Sequence, residues 1–301
     1  MSKQVILRPV YNRPEMLHLS IEYEMLAREY HSLDNFKTLF LVEAGTPQEV
    51  LDIIQKYPGE CEYAFREKRY GLTVTILEGM KQAFKMTDDY VVYIEDDILV
   101  HETYFKFMDV LLNMPEIQGK YSVLSPFCKK DDGNINHVFK RHHYAALAPL
   151  IPKQFHTDYI LPHSILEYYQ NEPGFIHAMD KHFAEKGYRE KGYKYDFNKL
   201  QHTQQAGLHN RAVDLAMIEE DKWVINPCIN RQQHIGFYGA NRGTAPIAGD
   251  SFEERVETLR DLISSPEKLY DATPAKCYND YTAFRSELDN WDMMLELVEN
   301  G

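Results

Sequence analysis

Tyr90-Val91-Val92-Tyr93-Ile94-Glu95-Asp96-Asp97 is the stretch on which the fold turns. Five apolar residues, β-branched or aromatic, read as a strand covered on both faces, the kind found at the centre of a parallel sheet. Three carboxylates follow with no spacer. Acids so placed are costly unless a cation compensates them, and the carboxyl ends of parallel strands are where α/β sheets hold ligands. Oxygen donors of this kind suit Mg2+ or Mn2+, which keep waters and bridge to phosphates. The competing reading is an acidic turn or helix start before Ile98, favoured by the helix dipole.

Upstream, strands and helices alternate. Gln4–Val10 reads as a buried strand stopped by Tyr11-Asn12-Arg13-Pro14, with Pro14 at the first position of a helix capped by Asn12 or Arg13. Leu17, Ile21 and Met25 mark one face of that helix. A second strand, Thr38–Val42, ends at Glu43-Ala44-Gly45, and Thr46-Pro47-Gln48-Glu49 has the form of a capping box before Val50, Ile53, Ile54 and Tyr57. Cys61–Phe65, a basic loop Arg66-Glu67-Lys68-Arg69-Tyr70-Gly71 and a helix from about Leu72 to Phe84 make a third unit. After the acids, Tyr104, Met108, Leu111 and Leu112 mark another helix face. The pattern predicts an α/β fold with a mostly parallel, twisted, doubly wound sheet, its loops at 11–14, 43–45, 66–71 and 95–97 sharing one crevice.

The chain has 301 residues, 44% hydrophobic and 26% charged, an ordinary globular balance that excludes disorder, collagen and coiled coil. Its formal net charge of −13 argues against a wholly basic nucleic-acid sleeve. No apolar run is long enough to span a membrane, and Arg8 interrupts the apolar start too early for a secretory leader, so a cytoplasmic protein is expected. Cys61, Cys128, Cys228 and Cys277 match no zinc spacing and are expected as thiols. GxGxxG, GxxxxGK[ST] and GxSxG motifs are absent, which disfavours dinucleotide-binding dehydrogenases, P-loop enzymes and α/β-hydrolases.

Residues 125–210 are rich in Tyr, His and Lys and weakly periodic, and read as long loops with short helices. Further on, Asn226–Phe237 is strand-like and leads into a loop with Gly236, Gly239 and Gly243. His234 in it reads either as a nitrogen ligand to a metal or as a hydrogen-bonded structural residue. Asp214 lies in an apolar helical turn and is either a general base or a cap or salt-bridge partner of Arg211. Ser251-Phe252-Glu253-Glu254 opens a helix, and Phe284, Leu288, Trp291, Leu295 and Val298 predict a final one. The expected organisation is a domain over 1–250, with a donor half at 1–113 and an acceptor half at 114–250, followed by a helical extension over 251–301.

The order of these pieces resembles the GT-A fold, metal-dependent glycosyltransferases, and is most similar to the family of N-acetylglucosaminyltransferase I and its small relatives. The likeness lies in Asn12-Arg13-Pro14 after the first strand, the basic loop before the acid strand, Glu95-Asp96-Asp97, and the late Asn230–Gly236 segment. It covers roughly 4–113 well and 211–244 less closely. The resemblance implies transfer of a sugar from a nucleotide-sugar donor, a UDP-sugar foremost, to an acceptor hydroxyl with Mn2+ or Mg2+ and with inversion. Carried over, Asp97 would bind the metal with His234, and Asp96 would lie near the sugar or ribose beside Glu95. Val10 and Glu43 fall where the family holds the base, Arg13 and the Arg66 and Arg69 loop where it meets the diphosphate. Asp214 matches the acid that deprotonates the acceptor, with Asp180 and Asp158 as rivals.

Other functions stay open at this point. The expected acceptor is a saccharide, but His137–Tyr144 interleaves bases and aromatics, which also suits nucleic acid. That keeps a glycosyltransferase for hydroxylated bases of phage DNA in view. A non-catalytic nucleotide-sugar-binding module and a nucleotidyltransferase are the remaining alternatives.

Overall fold

The computed structural model describes residues 4–31, 35–69, 72–117, 122–128, 133–141, 144–163, 220–236, 247–264 and 296–298, with Glu185, Asn210, Val213, Met217, Tyr238 and Lys268 as single positions. The expected mostly parallel α/β fold is what forms. Strand β1 (Gln4–Val10) leads into α1 (Pro14–Tyr30), β2 (Phe36–Val42) into α2 (Gln48–Gln55), and β3 (Cys61–Phe65) into α3 (Leu72–Ala83). Then come β4 (Tyr90–Tyr93), β5 (Ile98–Val100), α4 (Tyr104–Asn113), β6 (Val123–Leu124), β7 (His137–Arg141) and β8 (Leu150–Pro152). A short helical segment at 153–163, β9 (Val224–Pro227), β10 (Gln232–His234), α5 (Phe252–Ile263) and β11 (Glu296–Val298) complete the described elements.

Nine strands form one sheet in the order β11-β7-β9-β6-β8-β4-β1-β2-β3. β3, β2, β1 and β4 run parallel, and β6 and β9 run with them, because β8 is antiparallel to both β4 and β6. β7 and β11 run the other way. After β1 the chain builds outward through β2 and β3, then returns to the other side of β1 with β4. That reversal opens a crevice beyond Val10 and Tyr93, at the topological switch point.

One core packs α3 against β1, β2 and β4 through Leu77, Met80, Leu41 and Tyr93. The opposite face packs α4 against β4, β5 and β8 through Phe107, Leu111, Val92 and Leu150. Beneath α1, a fully buried Arg8 on β1 donates to Glu24 (Nε–Oε2 2.7 Å) and to Ser20 Oγ (3.0 Å), while Tyr57 donates to Glu24 Oε1 (2.6 Å). Burying such a pair is tolerable because nearly every hydrogen-bonding position is filled.

Three expectations change. Pro14 stands at the first position of α1 and Arg13 at its N-cap, but no side chain caps the helix. The capping box at Thr46 does not form: Pro47 is the N-cap of α2, and the Thr46 hydroxyl donates back to Glu43 O at 2.7 Å. By contrast, Ser251 does cap α5, accepting from Glu254 N. The final helix is not continuous through Val298, because 296–298 are a strand paired in parallel with β7, where Leu297 packs on the core. Phe284 to Leu295 lie outside the described residues.

Candidate active site

The acid loop is held from below and from the side. Ser20 Oγ donates to Ile98 O at 2.5 Å, so the buried Arg8–Ser20 contact supports the turn that carries Glu95–Asp97. A two-stranded antiparallel ladder then sets His234 opposite Ile98, and Ile235 N donates to Asp97 O at 2.8 Å. Residues 137 positions apart in sequence thereby become neighbours: His234 Nε2 lies 3.2 Å from Asp97 Oδ2.

Arg13, from the loop after β1, reaches the same carboxyl groups. Its Nε donates to Asp96 Oδ2 at 3.2 Å and its Nη2 to Asp96 Oδ1, while Nη1 donates to Asp97 Oδ2 at 2.5 Å. Asp96 and Asp97 are buried, and Asp97 Oδ1 has no hydrogen-bond partner. Burial pushes all three acids up. For Asp97 the charges of Arg13 and His234 more than offset it and hold the carboxyl well below the usual range. Asp96 stays raised by burial despite Arg13. Glu95, pressed by burial and by Asp97, is pushed up to about 8, and Tyr93 donates to its Oε1 at 2.7 Å.

Gly236 completes the arrangement. A β-carbon there would stand 2.1 Å from Asp97 Oδ2 and 2.6 Å from His234 Nε2, so the glycine lets both groups close in on the backbone at this point. Among the described residues no group of three or more His, Cys, Asp or Glu side chains forms a metal cage. What stands here is a smaller donor set, one carboxylate and one imidazole with a second acid alongside, and with an orphaned carboxylate oxygen. That fits an ion such as Mn2+ or Mg2+ whose remaining positions are filled by water and substrate oxygens.

The residues expected at the nucleotide share this edge of the sheet. Val10 is buried at the end of β1, and Glu43 N donates to its carbonyl at 3.3 Å. The Glu43 carboxylate accepts from Thr75 Oγ1 at 2.8 Å. Arg66 donates from Nη2 to Thr75 O at 3.4 Å, and its Nε is buried with no hydrogen-bond partner. Arg69 lies over the Tyr11 ring, 4.9 Å from its centroid. Tyr11 and Thr75 were not singled out from sequence: Thr75 sits inside a helix whose periodicity speaks only of packing.

Asp214 and Asp180 lie outside the described residues. Asp158 is exposed on the segment after β8, which leaves the sheet beside Tyr90, at the edge opposite the crevice. It is therefore no rival for the base. The basic-aromatic stretch also changes character. Residues 137–141 form β7, between β11 and β9, with Val138 and Phe139 buried. Lys140 stands 3.7 Å from the centroid of the Trp223 ring and Arg141 5.6 Å from that of Phe139.

Fold and site together define a mostly parallel α/β protein in which two buried acids, an arginine and a histidine meet at the switch point of the sheet. No family model matches the chain, and no curated protein matches it in sequence. Solved structures are similar to it in fold. S. aureus TarS (residues 1–349) is 14% identical with a TM-score of 0.40, over 52% of this chain and 48% of that one. The mannosyltransferase PcManGT from Pyrobaculum calidifontis, solved with GDP-Man and Mn2+, is 13% identical with a TM-score of 0.39, over 52% and 46%. The 4-diphosphocytidyl-2C-methyl-D-erythritol synthase from Anaerococcus prevotii is 11% identical with a TM-score of 0.38, over 87% and 96%. The chain thus spans about half the length of the first two. At these values no activity passes from any of the three to this chain.

Proposed function

We propose that the chain is a GT-A-type glycosyltransferase that moves a sugar from a nucleoside diphosphate donor, a UDP-sugar, to an acceptor hydroxyl with the help of Mn2+ or Mg2+. The observation that carries this reading is the meeting of Asp96, Asp97, Arg13 and His234 against Gly236, at the carboxyl ends of β1 and β4. Asp97 and His234 are the residues to hold the ion, which when bound supplies charge that stabilises the departing diphosphate. Arg13, Arg66 and Arg69 provide cations for that diphosphate. Val10 and Glu43 line the place for the base, and Asp96 with Glu95 lies toward the sugar. Asp214 is the proposed base that takes the acceptor's proton as the hydroxyl attacks the anomeric carbon from the face opposite the leaving group, which inverts it. The proposed acceptor is a saccharide.

The test is thermal stabilisation by nucleoside diphosphates with and without Mn2+, together with product analysis from a panel of nucleotide sugars. The expected results are an Mn2+-dependent shift with UDP, and release of UDP rather than pyrophosphate. Asp97→Ala should lose both the shift and turnover. Full activity in that variant, or pyrophosphate as the product, would overturn the assignment.

A further inference from the structure

We propose that Arg141, with Asn226 beside it, is a subsite for an anionic group, a carboxylate or a phosphate, carried by a saccharide acceptor. The word acceptor rests on the glycosyltransferase reading; the anion site does not. Arg141 closes β7, and strand register fixes where it stands. Val91 pairs with Ile151, Val123 with Val224, and Val224 with Arg141. The four apolar members of this row pack in the core under α3, so Arg141 leaves the sheet on that face. Two residues nearer the carboxyl end of β9, Asn226 pairs with Phe139 on the same face, level with Tyr93. Asn226 and Phe139 thus stand three and four strand spacings, about 14–20 Å, from the strand that ends in the acid loop.

The guanidinium lies 5.6 Å from the centroid of the Phe139 ring, and Cys128 is close enough to act on its charge. Its Nε and Nη2 are both buried with no hydrogen-bond partner, and among the described residues no carboxylate pairs with it. Asn226 donates from Nδ2 to Phe127 O at 3.0 Å, but its Oδ1 is buried and bare too. Burial presses the pKa of Arg141 down, the mark of a charge held out of water without compensation. Bare groups of this kind call for a partner from outside the fold. Two donors on one planar guanidinium suit the oxygens of a carboxylate or phosphate, and the amide oxygen beside them suits a hydroxyl. A sugar bearing an anion offers both. A nucleic-acid backbone is met instead by a row of cations. Here the adjacent cation, Lys140, leaves the sheet on the opposite face and settles over Trp223.

The experiment is ligand-observed NMR on the full chain with glucose, glucuronate and glucose 6-phosphate as probes, with and without UDP and Mg2+. The parent should bind at least one of the two anionic sugars ten-fold more tightly than glucose, and the tighter one names the anion. Arg141→Met should lose that preference, and Arg141→Lys should recover part of it. Arg141→Met should also melt no lower than the parent, because it removes a charge that nothing pairs. A lower midpoint, or a variant that does not fold, would make Arg141 a structural residue and overturn the site. So would equal binding of glucose by the parent, or an anion preference that Arg141→Met keeps. A preference that vanishes on adding UDP and Mg2+ would put the anion in the crevice and overturn the subsite. Arg141-dependent binding of a DNA duplex in place of the sugars would overturn the saccharide. A parent that holds anionic sugars through Arg141 yet ignores UDP would keep the subsite and remove the glycosyltransferase reading, so the two failures are distinct.

Discussion

A β-carbon at position 236 has no room, although the backbone would accept one: Gly236 is not among the glycines with positive φ, and the atoms it would strike are Asp97 Oδ2 and His234 Nε2. Because those atoms belong to buried, hydrogen-bonded side chains that must give way, Gly236→Ala is expected to lower the thermal midpoint and to weaken Mn2+ binding more than ten-fold. Calorimetry alongside an Mn2+ titration checks both halves, and parent-like Mn2+ affinity would show the close approach to be incidental. At this scale the acids were legible in the sequence, because a run of carboxylates closing an apolar strand is costly without a cation to meet it. His234 was legible as one of two roles, ligand or structural partner. Arg13 was read as a cation for diphosphate. Its grip on Asp96 and Asp97 was not legible, since it depends on how two strand ends 83 residues apart face each other.

Among the elements, β1 and α1 are joined by charge. Arg8 and Glu24 pair at 2.6 Å with both side chains fully buried, and Ser20 passes that support to the acid loop. Glu24→Leu leaves the guanidinium unpaired in the core and should cost about 3–5 kcal/mol. Adding Arg8→Met should return most of that, because an apolar pair of similar volume carries no unpaired charge. Urea unfolding of the two variants measures it, and a double variant no more stable than the single one would mean Arg8 serves packing rather than pairing. Strands β1 to β4 and their helices were readable because short apolar runs closed by turn signals, or a four-residue helical spacing, carry their own signal. β6 and β8 were not: each is two or three residues long and exists only because a partner strand binds it, whereas β10 falls inside the strand-like segment 226–237. The same holds for 296–298, where a helical spacing lost to an open place beside β7.

For the molecule as a whole, stability should depend on pH through His156, far from the crevice. Its ring is buried and stacks on Phe84 with centroids 4.4 Å apart. Burial, with help from the charge of Lys81, lowers its pKa from 6.5 to about 4. The unfolded chain therefore takes up a proton that the folded one refuses. Stability from this group is complete above pH 6.5 and falls as pH drops toward 4, by about 3 kcal/mol in all. His156→Phe should flatten that part of the profile in urea unfolding between pH 7 and 4, and an unaltered slope would assign the loss to other groups.

The ladder that pairs Ile98 with His234 also has a consequence in time. As the chain is made, β1 to β4 and the acid loop emerge together, while the His234 imidazole that meets Asp97 follows more than a hundred residues later. Contacts of such sequence separation close slowly and late. Until then the carboxylates have Arg13 for company, a neighbour made before them, so the nascent half-sheet can fold without its acids repelling one another, and the Asp97–His234 contact forms only when the far strand docks.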